Sequence, residues 1–250
     1  MKIDVVLTPA EIDLLPQRDD LENATAIVFD VLRATSTILT ALEHGAQEIF
    51  PVRTIDEALA LKAQMPDALL GGERHGEKID GFDLGNSPLE YRRELPRRII
   101  TTTTNGTVAL RACESARGVR EVLAGALLNM SALLAHLQNG ACENVLLVCA
   151  GTFRETALED VIAAGMICAN LSQKMVELTD AAQIARAVFI ENERDIFAAL
   201  SRARNGRALL GKGRADDVRW CAQISFYNTI GVLKAGAIRR STRAANGSEA

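Results

Sequence analysis

The 250-residue chain carries 28 Lys/Arg, 32 Asp/Glu and three His, and 48% of its residues are apolar. That balance suits a globular fold with a sizeable core and excludes disorder, collagen-like repeats and low complexity. No apolar run approaches the roughly 18–20 residues of a membrane span, and acids interrupt the first twenty residues, so neither a span nor a signal peptide is expected and the cytoplasm is the expected location.

From the amino end, short β-branched runs alternate with helical patterns. Strands are predicted at 3–7, 26–30, 48–52, 68–71, 98–102, 121–123 and 144–149. Helices are predicted at 35–44, 54–65, 106–116, 130–138, 158–171, 181–190 and 194–203. Thr54 precedes an acidic first turn, Asp56 and Glu57, and Gly45 stands where the first of these helices should stop. Strands followed by helices of about ten residues imply β-α-β units, a layered α/β/α sandwich with a mostly parallel or mixed sheet. Residues 205–213 read as a loop-like interruption, with a last strand near 230–233. One α/β domain over 1–250 is expected, with room for a small C-terminal appendage from about 205.

Residues 201–250 hold ten Lys/Arg against three Asp/Glu. The basic tail lacks aromatic residues interleaved with its last arginines, so a solvated or subunit-contacting surface is the better reading than nucleic-acid binding, and homo-oligomer formation stays open. Cys113, Cys142, Cys149, Cys168 and Cys221 form no CxxC pair, and His44, His75 and His136 are scattered. Reduced thiols and no zinc site follow.

In open α/β sheets ligands bind where strands feed helix starts. Polar residues gather at such junctions here: Asp30, Arg33 and Thr35; Thr104, Asn105, Gly106 and Thr107; Gly151 with Glu159 and Asp160. A glycine-rich polar stretch adds Glu73, Arg74, Asp83, Asn86 and Ser87. Free N–H groups at helix starts attract phosphate, hydroxyls add donors, and Gly106 lets backbone come close to an anion. Asp30, Glu73, Asp83, Glu159 and Asp160 are hard oxygen ligands suited to Mg²⁺. Capping and ordinary surface ion pairs explain each feature singly; their convergence favours a site for an anionic phosphate compound. The chain contains no P-loop, no GxGxxG and no GxSxG, and Leu32 occupies the place of the second aspartate in a DxD phosphatase motif.

The blocks DVLRATSTI at Asp30, GGER at Gly71, GFDLGNSP at Gly81, TTTNGT at Thr102 and CAG at Cys149 with Glu159-Asp160 resemble the 2-phosphosulfolactate phosphatase (ComB) family over residues 3–171. The last eighty residues match it only loosely. The resemblance implies a Mg²⁺-dependent phosphatase with an α/β sandwich, producing sulfolactate and phosphate in coenzyme M biosynthesis. Within the matching blocks, Asp30, Glu73 and Asp160 are the expected catalytic residues. The metal candidates are Asp30, Glu73, Asp83, Glu159 and Asp160. Substrate contacts are expected from Arg33, Thr35, Arg74, Asn86, Ser87, Thr104, Asn105, Gly106, Thr107 and Gly151, with Arg33 and Arg74 clamping the acid groups. Attack by water and attack by Asp30 both fit. The alternative is a non-catalytic α/β binding protein for an anionic metabolite, against which five uncompensated carboxylates argue.

Overall fold

The computed structural model describes residues 1–140, 142–171 and 176–241. In chain order the elements are β1 (Lys2–Val6), α1 (Pro9–Ile12), β2 (Ala24–Phe29), α2 (Ala34–Glu43), β3 (Glu48–Pro51), α3 (Ile55–Gln64), β4 (Leu69–Arg74) and β5 (Glu77–Lys78). There follow β6 (Arg98–Thr102), α4 (Gly106–Ser115), β7 (Val119–Gly125), α5 (Met130–Asn139), β8 (Asn144–Cys149), α6 (Leu158–Leu171), β9 (Glu177–Leu178) and α7 (Asp180–Asn192). The chain closes with α8 (Ile196–Arg202), α9 (Arg204–Gly211), α10 (Ala215–Cys221), β10 (Gly231–Lys234) and β11 (Ala237–Arg240). No helix among the described residues is long and apolar enough to cross a membrane.

Local chemistry sets the element ends as expected. Thr54 caps α3 by accepting the Glu57 N–H at 3.1 Å, and the chain turns out of α2 through Gly45 at φ +107°.

One mixed sheet runs β5-β4-β6-β3-β11-β10-β7-β2-β8-β1-β9. Two parallel blocks, β4-β6-β3 and β7-β2-β8-β1-β9, are joined by the antiparallel hairpin β10-β11. Three successive antiparallel pairings at the seam make the blocks run in opposite senses. A flat sheet would therefore send their carboxyl ends to opposite edges. The blocks nonetheless share one core, in which Val28, Val122 and Leu146 of one meet Ile49 and Ile99 of the other with Ile38 of α2 and Leu110 of α4, and the strand twist that accumulates across the seam turns one block relative to the other.

Strand alternation supplies the remaining layers. Ile27 and Phe29 face away from α2 and pack with Leu133 of α5 and Ile162 of α6. Ile100 packs with Ala58 of α3. Helices thus cover both faces of a mixed sheet.

Elements α1, α10, β5, β9 and β11 fall where none was expected from the sequence, and two further stretches that bear on the site also differ. Residues 72–74 continue β4 beyond the strand end expected at Gly71, with pairing to β6 as far as Gly72 and Thr102. Residues 204–211 are a helix, not an interruption. Gly206 makes it feasible, because a Cβ there would lie 1.8 Å from the Leu200 carbonyl oxygen, so only glycine allows α9 to press onto α8. The C-terminal hairpin lies mid-sheet.

Candidate functional site

Register brings the site together. Phe29 pairs with Cys149, so β2 and β8 end level and Asp30 emerges beside Ala150 and Gly151. Gly72 pairs with Thr102, which sets Glu73 next to the Thr103–Asn105 turn. These two groups of strand ends nonetheless line one cleft of about 240 Å³. Its wall includes Asp30, Arg33, Glu73, Asn86, Thr104, Asn105 and Gly151 among the residues expected from the sequence. His75, Gly76, Thr152 and Phe153 line the mouth, and α9 closes the remaining side.

Asp30 sits where two helices begin. Its Oδ1 accepts the Ala34 N–H of α2 at 3.0 Å, and the Gly106 N–H of α4 also favours its charged form. Glycine is required at 106, since a Cβ would stand 2.6 Å from Asp30 Oδ2. Thr35 fixes the turn by accepting the Asp30 N–H at 3.1 Å and donating to its carbonyl at 2.9 Å. Burial nevertheless dominates and, with the charges of Glu73 and Glu159, pushes the Asp30 carboxyl up to about 7.

Glu73 is held by three donors. Its Oε1 accepts from Thr104 N at 2.7 Å and Thr104 Oγ1 at 2.9 Å, and its Oε2 accepts the Gly76 N–H at 2.7 Å. Glu159 is almost wholly buried; Oε1 accepts from Asn205 Nδ2 at 2.6 Å, while Oε2 has no hydrogen-bond partner. Burial raises its pKa.

Asp160 is placed behind the cleft. Oδ1 accepts the Val31 N–H at 2.8 Å and Oδ2 the Gly151 N–H at 3.0 Å, stitching together the loops that follow β2 and β8. Burial, then the charges of Glu159 and Asp30, raise its pKa well above the carboxylate range. Asp83 lies elsewhere: exposed, it accepts the Leu70 N–H at 2.8 Å near the start of β4. Among the described residues, no group of three or more Asp, Glu, His or Cys is set to cage a metal ion unaided.

The two arginines expected to act together are separated. Arg33, 3% exposed, donates to Asp217 Oδ2 at 2.5 Å and to the Gly76 carbonyl at 3.2 Å. Ser87 donates to the other Asp217 oxygen at 2.5 Å, so its hydroxyl braces this ion pair rather than facing the cleft. Arg74 points to the Glu73 carbonyl and Thr102 Oγ1, outside the cleft wall. Thr107 closes a turn with Thr103, accepting its N–H and donating to its carbonyl, each at 3.1 Å. Asn105 is tied to the Phe153 backbone, accepting its N–H and donating to its carbonyl, both at 3.3 Å.

Sequence reasoning missed Asp217, the α9 residues Arg204, Asn205, Ala208 and Leu209, and Lys212 at the C-cap of α9, which line the cleft or brace it. A signal existed: Arg204, Ala208 and Lys212 recur every four residues, as one helix face requires. Gly206, Gly211 and Gly213 hid it by reading as a loop.

The sequence model describing 2-phosphosulpholactate phosphatase matches residues 10–236. A protein of Carboxydothermus hydrogenoformans, named a probable 2-phosphosulfolactate phosphatase, is 40% identical over 231 residues, covering 92% of each chain. Similarly named proteins from Deinococcus radiodurans and Thermotoga maritima are 41% identical over 90% of this chain and 93% of theirs, and 39% identical over 94% and 96%.

Proposed function

The chain belongs to the 2-phosphosulpholactate phosphatase family, and from that premise we propose that it hydrolyses the phosphate ester of a short 2-hydroxy acid, first among them 2-phosphosulfolactate, to sulfolactate and inorganic phosphate. The observation that carries the reading is the meeting of Asp30, Glu73 and Arg33 in one small cleft at two helix starts. Phosphoryl transfer relies on positioning and charge stabilisation, and this arrangement offers both.

Mg²⁺ suits the donor set. It takes one or two carboxylates with waters and substrate oxygens, so a cage of three protein ligands is not needed. Asp30, whose charge is costly among its neighbours, and Glu159, whose Oε2 lacks a partner, would hold it. When bound, such a cation neutralises phosphoryl oxygens and acidifies a bound water. Arg33 sets a fixed positive charge against the phosphoryl group, oriented by Asp217. Glu73, fixed by Thr104 and Gly76, takes the proton of the water attacking phosphorus in line. Asp160 keeps the loops carrying Asp30 and Gly151 in register.

Phosphate release from 2-phosphosulfolactate, phospholactate and p-nitrophenyl phosphate tests the reading. Turnover should stop in excess chelator and return with Mg²⁺, with Ca²⁺ poorer because of its longer, looser coordination. Full turnover in chelator removes the metal; no release from any ester leaves a binding protein.

A further inference from the structure

One helix makes up a whole side of the cleft. Arg204 and Ala208 form one row along α9 that Lys212 continues at the C-cap, with Asn205 and Leu209 in the row beside it. The face is cationic at both ends and apolar in the middle. A rise of about 1.5 Å per residue separates the Cα atoms of Arg204 and Lys212 by about 12 Å, which their long side chains can shorten from both ends.

Each cation now rests on an exposed carboxylate that is not itself part of the cleft lining. Arg204 donates to Glu155 and to the Thr152 carbonyl. Lys212 Nζ lies 2.6 Å from Glu77 Oε1 and 3.1 Å from the His75 carbonyl oxygen. The Glu155 and Glu77 side chains are 74% and 58% exposed, and exposed ion pairs are weak enough for a competing anion to exchange with them. Arg33 is left to the phosphoryl group, because its pairing with Asp217 is buried and does not exchange with a competing anion as an exposed pair does.

We propose that α9 is the specificity element of the site. Arg204 and Lys212 take up the acid groups at the two ends of the substrate's carbon skeleton, displacing Glu155 and Glu77, while Ala208 and Leu209 pack against the carbons between. This assignment rests on the phosphatase reading and extends it. An ester with a neutral tail leaves both ion pairs intact and gains nothing from the helix.

The measurement is the ratio of kcat/KM for 2-phosphosulfolactate to that for p-nitrophenyl phosphate. Arg204→Gln and Lys212→Gln should each lower it about tenfold, the size of one lost charge-assisted contact, with a larger loss in the double variant. Glu155→Gln and Glu77→Gln should raise it a few-fold, since the competing carboxylate is gone. A purely structural helix would not produce that opposite sign. An unmoved ratio in the double variant, or a fall in the glutamate variants, overturns the proposal. If the wild type releases phosphate from no ester, the phosphatase reading fails, and binding of 3-sulfolactate by calorimetry decides the helix separately. The proposal then stands on about tenfold weaker binding in the double variant and falls if the wild type and double variant bind alike.

Discussion

Asp30 lies between two opposed influences. The starts of α2 and α4 direct N–H groups at its carboxylate, while burial and the charges of Glu73 and Glu159 oppose ionisation and win, carrying the group to about 7. Asp30→Asn keeps the size and removes the charge; kcat should fall about 100-fold, or about 2.7 kcal/mol of transition-state stabilisation. A folded, fully active variant would make Asp30 structural. The same shift sets a pH dependence. The folded carboxyl holds its proton above the ordinary value of 3.8, so its stabilising contribution is complete at low pH and is lost as pH rises towards about 7. In metal-free protein, the melting temperature of the wild type relative to Asp30→Asn should therefore drop between about pH 4 and pH 7. A difference that is flat or rising with pH contradicts the assignment. The proposed Mg²⁺, if held by Asp30, would have to displace that proton, so its affinity should weaken about tenfold per pH unit below about pH 7.

Among the elements, α9 depends most on one residue. Gly206 seats it against the Leu200 carbonyl, and the cleft face of the helix follows from that seat. Gly206→Ala must push α9 off α8, with a cost of about 1–3 kcal/mol for the forced repacking. Because Asn205 bridges Thr152 Oγ1 at 2.7 Å and Glu159 Oε1 at 2.6 Å, the displacement should reach the site. The expected result is a lower melting temperature together with a raised KM for the acid substrate. A stability loss without any change in KM would separate the helix position from recognition. Gly106→Ala acts at the other side: its methyl group would meet Asp30 Oδ2 and the Ala34 Cβ, at 2.6 and 2.7 Å. Activity should fall with the geometry of Asp30.

At the scale of the whole molecule, the last two strands decide whether there is a site at all. β10 pairs with β7 and β11 with β3, so the hairpin is the only strand link joining the oppositely running blocks among the described residues. Leu233 and Ile238 are buried in the core shared by those blocks. A chain ending at Thr229 exposes two interior strand edges and removes that packing, and it should lose cooperative unfolding and aggregate. Circular dichroism melting and gel filtration provide the check; a cooperative, monodisperse truncated chain would show that the blocks dock without the hairpin. The net charge of −4 also conceals an internal division. Acids cluster on the strand-end side of the cleft, and cations of the last fifty residues face them from α9.

Much was legible in the sequence because it is local. Alternating strands and helices, the Thr54 cap, the turn at Gly45 and the polar junctions at Asp30, Thr104 and Gly151 are written in neighbouring residues, and each appears where expected. The family blocks carried the functional expectation for the same reason. Contacts distant in sequence were not legible. Arg33 meets Asp217 across 184 positions, Asn205 meets Glu159 across 46, and no periodicity encodes either. Asp83 and Asp160 show the converse: one sequence signature, an acid near a polar, glycine-containing turn, yet one carboxylate is turned to a strand start and the other is buried on two loop N–H groups. Composition and local pattern determined most of the elements, the α/β class and the ends of the strands where a site could form. The core that the two strand blocks share with α2 and α4, the sealing hairpin and the seat of α9 decided which of those residues share a cleft, because each depends on packing between segments that the chain keeps far apart.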